Sequence, residues 1–213
     1  MARRETDHPA PAVTPRHRML ADAPSLQALA HPTRLALMEA IGVSGALTAT
    51  QASALVGESP TACAYHLRML ARLGFIEEAG GGAGRERPWR LAQSGLSIDE
   101  DSDDPAVTRA AEALSKALVE RFIARIRRFE LARSRLPEDV RAATGVNQSF
   151  VFATPAEMTR LRADIRALIS RYTDRMEPAR RPPGSQPFEL VMFTHVFGAD
   201  GEGASGAQAA ADP

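Results

Sequence analysis

Residues 59–91 restrict the fold of this chain more than any other stretch, because they read as a capped helix followed by a short hairpin. Ser59 is a good cap, since its hydroxyl can accept hydrogen bonds from the free amides of a first helical turn. Pro60 suits the first helical position, where its missing N–H costs nothing. Gly74 ends the predicted helix, because glycine enters the left-handed conformation with little strain. We therefore predict a helix from Ser59 to Gly74 and a β-hairpin after it.

The two sides of this predicted helix differ in chemistry. At about 100° per residue, Cys63, Leu67 and Leu70 fall on one side, which suits a core. The opposite side carries groups that hydrogen-bond or bear charge: Thr61, Tyr65, Arg68 and Arg72. Such a face suits a DNA major groove or the phosphate backbone. An ordinary amphipathic surface helix explains the same periodicity and stays open as the alternative.

The predicted hairpin carries a cluster of arginines. A strand-like stretch at 75–78 leads into a glycine-rich turn at 80–84, and the returning strand alternates, with Trp89 and Leu91 on one face. The arginines on or near the tip are Arg85, Arg87 and Arg90. Arginines in this position suit contacts with phosphates or the minor groove. A solvated hairpin whose arginines serve only solubility is the alternative.

Two further helices are predicted upstream. Leucines give residues 25–41 an apolar face, and Pro32 predicts a break near His31. Thr48 caps the next helix, with Gln51 at the third position completing a capping box. The order is therefore helix, short turn, helix, as a helix-turn-helix motif requires.

Several weak motifs thus follow one another along residues 21–91. They are His-Pro-Thr-Arg-Leu at 31–35, Thr-Ala-Thr-Gln-Ala-Ser-Ala-Leu at 48–55, the helix 59–70 with Tyr-His-Leu at its centre, and the hairpin. In this order they resemble the winged helix-turn-helix domain of the arsenic-repressor-like (ArsR/SmtB-type) bacterial regulators. The resemblance implies a homodimeric DNA-binding transcriptional regulator whose recognition helix enters the major groove and whose wing follows the backbone.

On this interpretation the DNA-contacting residues are Ser59, Thr61, Tyr65, Arg68, Arg72, Gln51, Arg85, Arg87 and Arg90. In the family the arginine of the first motif can reach DNA or the partner subunit. For Arg34 we favour a local salt bridge instead, since most arginines near a packed helix have local partners. A winged module that binds another protein and not DNA is the alternative function.

Composition limits the other classes of function. The formal net charge is +0, so a DNA-binding interpretation depends on local charge. Arginine greatly outnumbers lysine, which with abundant alanine points to a GC-rich bacterial genome. The single cysteine, Cys63, excludes an intramolecular disulfide and a multi-cysteine metal site. Without a membrane-length apolar run or a signal core, we expect a cytoplasmic protein that does not contact membrane.

Catalytic and metal-binding patterns are also missing from the sequence. There is no nucleophile elbow, phosphate-binding glycine motif or His-Glu-x-x-His, so we expect no enzyme and no cofactor. Metal-sensing members of the family use cysteine clusters or histidine–acid sets. Cys63 falls at a buried helix position here, where it is expected to act as a small apolar side chain, so we expect no metal site.

A long amphipathic helix is predicted over residues 105–136. Its apolar side chains recur at spacings of three and four through about seven turns, which is too long for packing within a small domain alone. A dimer seam is the favoured explanation, and an intrachain bundle helix is the alternative. The predicted seam comprises Leu114, Leu118, Phe122, Ile126 and Phe129.

The C-terminal part reads as a β-α-β unit. The predicted strands are 149–153 and 188–197, and the helix between them begins at Thr154 with Pro155 first and Glu157 at the capping position. Four aromatic side chains either form a core, which we favour, or hold a small apolar effector between subunits: Phe150, Phe152, Phe193 and Phe197.

The predicted fold is mainly α with a small β content. It comprises a disordered leader (1–23), the winged helix-turn-helix domain (24–95), an acidic linker (96–104), a dimerisation domain that is also the candidate effector domain (105–198), and a disordered tail (199–213).

Overall fold

A computed structural model of the chain describes residues 17–80, 86–93, 95–99 and 102–197. Helices dominate these ranges, as predicted. The helices are α1 (Ala23–Leu29), α2 (Pro32–Ser44), α3 (Ala49–Val56), α4 (Pro60–Arg72), α5 (Pro105–Ala132), α6 (Glu138–Ala142) and α7 (Pro155–Ser170). The strands are β1 (His17–Leu20), β2 (Ile76–Glu78), β3 (Trp89–Leu91) and β4 (Gly95–Ile98), and short 3-10 turns follow α5 and α7.

The first predicted helix is broken as expected. It divides into α1 and α2 at His31, whose backbone is extended with ψ 127°. The His31 ring caps α2, because its Nδ1 accepts from the Thr33 amide at 3.2 Å. Pro32 occupies the first turn, where its lack of an N–H costs no hydrogen bond.

The helix-turn-helix pair also begins and ends at the predicted residues. Thr48 and Gln51 form a reciprocal capping box at the start of α3. Gly57 ends that helix in the left-handed conformation with φ 78°. Ser59 then caps α4 by accepting from the Ala62 amide at 3.2 Å. These outcomes follow from local chemistry, because each cap satisfies amides that have no partner inside the helix.

The core lies between α1 to α4, the first half of α5 and the hairpin. The predicted inner face of α4 is confirmed, since Cys63, Leu67 and Leu70 are completely buried. Other fully buried side chains from the surrounding elements are Leu26, Leu37, Ile41, Ala52 and Phe75. Burying a large apolar side chain contributes about 1.5–3 kcal/mol, so this cluster holds α4 firmly in place.

Strands β2 and β3 form the predicted antiparallel hairpin. Ile76 pairs with Leu91 and Glu78 with Trp89. Leu47, just before α3, exchanges two backbone hydrogen bonds with Trp89, at 3.0 and 2.8 Å. The hairpin is therefore fastened to the helix-turn-helix pair. Its tip at 81–85, including Arg85, lies outside the described residues.

A second, parallel pair of strands was not predicted. His17 in β1 pairs with Gly95 in β4, and Leu20 pairs with Ile98. Leu20 is 1% exposed, so the end of the predicted leader is part of the core. The start of the predicted acidic linker is likewise a strand. The predicted disorder of residues 1–16, and of the tail 199–213, lies outside the described residues.

Helix α5 has two different halves. Its first half packs on α1 and buries Val107, Ala110, Ala111 and Leu114. The assignment of Leu114 to a dimer seam is therefore wrong, because at 1% exposure it belongs to the core of its own protomer. Leu118 packs partly against the same core. Farther along, Ile126 is 47% exposed.

The C-terminal part differs most from its prediction. Helix α7 begins with the predicted Thr154–Glu157 capping box, but it has no buried residue. The two flanking strands predicted at 149–153 and 188–197 are wrong, because the structure shows neither of these segments hydrogen-bonded as a strand. A strand needs a neighbouring strand for its backbone amides and carbonyls, and no such neighbour is present in the described part of the chain.

The C-terminal aromatic side chains do not form the expected core. Phe152 is fully exposed, and Phe150, Phe193 and Phe197 are between 59% and 69% exposed. Each makes at most limited ring contacts, such as Phe122 with Phe193 at 6.0 Å between centroids. None of the helices in the described ranges is long and apolar enough to cross a membrane.

Candidate nucleic-acid interface

The outer face of α4 presents the predicted set of contact residues together. Thr61, Tyr65, Arg68 and Arg72 are all exposed, and Tyr65 is 52% exposed despite its aromatic ring. The opposite side of the same helix is buried in the core. A helix fixed along one side and polar along the other can be inserted into a groove without losing its own packing.

Arg68 and Arg72 are available as cations. Neither makes an ion pair within the ranges that the structure describes. The positive dipole of the first turn of α4 lies beside this face, although Pro60 has no N–H and the Ala62 and Cys63 amides already donate to Ser59. The helix therefore supplies two exposed arginines and the positive dipole of its first turn.

Ser59 and Gln51 cap the starts of helices, in addition to any contact with DNA. The Ser59 hydroxyl caps α4, and Gln51 Oε1 accepts from the Thr48 amide at 2.9 Å. Both residues are exposed. The Gln51 amide nitrogen keeps its two donors, so this side chain can cap the helix and donate outward at the same time.

Arg34 serves its own domain, as favoured, but through the backbone and not through a salt bridge. Its Nε donates to the Ala28 carbonyl, and a terminal nitrogen donates to the Gln27 carbonyl at 3.4 Å. These carbonyls lie at the end of α1, where a cation is stabilised by the helix dipole. The side chain is thereby held at α1.

The wing arginines are paired with glutamates of the same hairpin. Arg87 contacts Glu78 at 2.8 Å, and Arg90 contacts Glu77 at 2.8 Å. All four side chains are at least 41% exposed, and exposed pairs of this kind contribute only about 0–1 kcal/mol. A phosphate can therefore exchange with either carboxylate. Sequence reasoning missed these pairs, although the hairpin register, with Glu77 opposite Arg90, would have revealed one of them.

A histidine pair lies behind the exposed face. The rings of His31 and His66 are 4.7 Å apart between centroids, and the Tyr65 ring meets His66 edge-on at 5.2 Å. His66 Nδ1 is buried without a hydrogen-bond partner in the described structure. Burial lowers the pKa of His66, and the neighbouring His31 and Arg34 lower it further. No sequence signal predicted this pair, because its members lie on different helices.

Comparison with known proteins found one family model and one solved structure that are similar to this chain. Residues 29–79 match a family model described as a helix-turn-helix domain. The chain is also similar to the antimony-specific transcriptional repressor AntR, with 31% identity over 47% of this chain and 78% of that one. The two structures superpose with a TM-score of 0.31. No curated protein matches the chain.

Proposed function

The chain belongs to the ArsR-like helix-turn-helix transcriptional regulators, and from this membership we propose that it reads a specific DNA sequence through α4 as a homodimer. It is a DNA-binding regulator and not an enzyme. The observation that carries the proposal is the division of α4 into a fully buried apolar side and an exposed side with Thr61, Tyr65, Arg68 and Arg72.

Base reading is assigned to three side chains of that exposed side. Thr61 and Tyr65 can donate or accept hydrogen bonds, and Arg68 can donate two parallel bonds to a guanine edge. Each good base contact contributes about 1–3 kcal/mol of discrimination. Arg72 lies one turn farther on and is assigned to the backbone, together with the wing.

The homodimer is supported by apolar surface that the protomer leaves uncovered. Ile123 and Ile126 on α5 are 44% and 47% exposed, and Leu168 and Ile169 on α7 are similarly exposed. Large exposed apolar patches are typical of interfaces between subunits. A two-fold dimer places two α4 helices on two half-sites, which matches the (pseudo)palindromic sites that dimeric helix-turn-helix proteins bind.

The response to antimony named for AntR is not carried over, because the residues here do not fit a thiolate site. Cys63 is the only cysteine and is completely buried. Burial raises the pKa of its thiol, and Glu58 raises it further, so the ligating thiolate is disfavoured. Within the described ranges no group of three His, Cys, Asp or Glu side chains is arranged to hold a metal ion.

The experiment is selection of a binding site from random DNA with the purified full chain, followed by affinity measurements at fixed salt. Tyr65→Ala and Arg68→Ala should each lose about 1–3 kcal/mol on the selected site, because each removes one base contact. Arg127→Ala on α5 is the matched control for the lost charge and should bind normally. Wild-type affinity in both α4 variants would contradict the assignment, and failure to select any DNA would favour a protein-binding module.

The wing is tested through the salt dependence of binding. Arg87→Ala should reduce the slope of log affinity against log salt by up to about 0.9, equally on selected and unrelated DNA. Glu78→Gln should strengthen binding to both DNAs, because it releases Arg87 from its intrachain partner. An unchanged slope, or a loss of affinity confined to the selected site, would show that Arg87 reads bases and does not contact the backbone.

A further inference from the structure

An open groove of about 540 Å³ lies between α2, α3 and α5. Small and branched apolar side chains line it on the α2 and α3 side, where Val43 is 55% and Leu55 is 61% exposed. On the α5 side the groove is lined by three arginines on successive turns: Arg121, Arg125 and Arg128. Apart from Glu39 and Ser44 on α2, it therefore has an apolar wall facing a cationic wall.

The charges in the groove do not balance. Among the described residues that line it, Glu39 is the acidic one, against three arginines, and Glu189 from outside the lining pairs with one of these arginines. Arg121 Nε donates to Glu39 Oε1 at 3.0 Å, and Arg125 donates to the same oxygen at 2.6 Å. Arg128 is exposed and makes no ion pair within the described ranges. The lining thus keeps an excess of positive charge that attracts an anion.

A carboxylate from elsewhere in the chain already shows how Arg125 holds an anion. Glu189 accepts from Arg125 Nε at 2.9 Å and from a terminal nitrogen at 2.6 Å, which is the two-pronged geometry of arginine with a carboxylate. Glu189 lies on an extended segment without helix or strand, and its side chain is 48% exposed. The Glu189 side of the pair is open to solvent while the Arg125 side chain is only 23% exposed, so a competing carboxylate has to take over the same two nitrogens of Arg125.

We propose that this groove binds a small organic anion with an apolar tail, of the class of a medium-chain carboxylate. Its carboxylate displaces Glu189 from Arg125 and is shared with Arg128, one turn away on the same helix face. Its hydrocarbon tail covers Val43 and Leu55. Binding releases the segment that carries Glu189 from α5, so the Glu189–Arg125 pair acts as an internal competitor of the ligand.

The position of the groove gives the ligand a route to DNA binding. Its apolar wall is formed by α2 and α3, and α3 is the first helix of the helix-turn-helix pair. A ligand that bridges these helices to α5 favours one arrangement of the two over others, and differential affinity for two arrangements is what shifts their populations. This regulatory consequence, unlike the binding itself, rests on the proposed function.

The test is an NMR titration of the 15N-labelled full chain with octanoate. We expect saturable shifts in the backbone amides of Ala40, Val43 and Leu55. Arg128→Gln should weaken binding about fivefold, because it removes one charged partner. Glu189→Gln should strengthen binding, because it removes the competing carboxylate. Arg127→Gln, a neighbouring charge that does not line the groove, is the matched control and should leave binding unchanged.

The uncharged analogue 1-octanol separates the anion site from general apolar binding. It should produce much weaker shifts at the same amides. Equal binding of octanol, shifts centred on the exposed aromatic residues of the C-terminal part, or weaker binding in Glu189→Gln would each overturn the proposal. A further outcome is that octanoate shifts the same amides only under conditions where sedimentation shows that it pairs two chains. That result would overturn the proposal, because a second copy of the chain would then occupy the groove.

The effect of octanoate on DNA binding is measured separately from the binding of octanoate itself. With a selected DNA site in hand, saturating octanoate should change the affinity of the wild type and have less effect on Arg128→Gln. A chain that binds octanoate normally and selects no DNA would overturn the proposed function while supporting this site. A chain that selects DNA and shows no saturable shifts would do the opposite.

Discussion

The winged domain and the C-terminal part of this chain have equally clear local signals and very different packing. Helices α4 and α7 both begin with a hydroxyl cap followed by proline. Helix α4 buries three side chains completely, whereas α7 buries none. The difference shows that caps and propensity decide where a helix begins, while a core also requires neighbouring elements that can cover its apolar face.

The exposure of phenylalanine side chains differs between the two regions in the same way. Phe75, directly before β2, is completely buried and has the Arg18 guanidinium 4.6 Å from its ring centre. Phe152, before α7, is fully exposed. The winged domain thus closes its own core, and the C-terminal part leaves large apolar side chains exposed.

Substitution of these two phenylalanines tests the contrast, and it should give the largest change in the free energy of unfolding. Phe75→Ala should lower the free energy of unfolding by about 3–5 kcal/mol, because it empties a packed site. Phe152→Ala should change it by less than about 0.5 kcal/mol. Urea unfolding of both variants at one protein concentration measures the difference. A similar loss in the two variants, independent of protein concentration, would show that the C-terminal part has a core of its own.

A charge on the distal half of α5 should give the next largest effect. Ile126→Asp should weaken dimerisation about 100-fold, or roughly 2–3 kcal/mol, because it buries a carboxylate in an apolar interface. Sedimentation equilibrium gives the dissociation constant, and circular dichroism checks that helix content is kept. Leu131→Asp, on another face of α5 and 82% exposed, is the matched control. If the Ile126→Asp chain dimerises like the wild type, the distal half of α5 is not part of the dimer interface.

Protonation of His66 in the winged domain should give the smallest effect. Its pKa lies below the ordinary value of 6.5 in the folded chain, chiefly because it is buried and secondly because His31 and Arg34 are close, against the opposing effect of Glu58. As the pH falls through 6.5, the unfolded chain takes up this proton first, so stability present above that pH is progressively lost.

The measurement is urea unfolding at a series of pH values from 7.5 down to 5.5 for wild type and His66→Gln. The variant should lose less stability on acidification, because the proton-binding group that differs between the folded and unfolded chain has been removed. An identical pH dependence in the two proteins would show that the pKa of His66 contributes nothing to stability.

Most of the winged domain could be predicted from sequence, because its signals are local. The capping box at Thr48, the cap at Ser59 and the break at Pro32 each act within one helical turn. The buried face of α4 follows from a period that repeats along one helix. The exposed contact face was predicted for the same reason, although its role on DNA stays a proposal.

The remaining features depend on partners that the local sequence does not identify. β1 pairs with β4 across more than seventy residues, and the four residues of β1 have no alternation that indicates a strand. Leu114 has the same spacing as Ile126, but periodicity does not say whether α1 or another subunit covers a given turn. The strands predicted at 149–153 and 188–197 have suitable side chains and lack a neighbouring backbone within the described chain.

The parallel pairing of β1 with β4 also has a mechanical consequence. Tension along the chain enters β1 at His17 and leaves β4 at Ile98, which lie at opposite ends of the pair because Leu20 is opposite Ile98. The two strands are therefore loaded in shear, and their hydrogen bonds must fail together. The β2–β3 hairpin, pulled at its open end, would unzip one bond at a time. Since resistance to force depends on the rate of unfolding, a pull on its two ends would meet more resistance in this small sheet than in the hairpin.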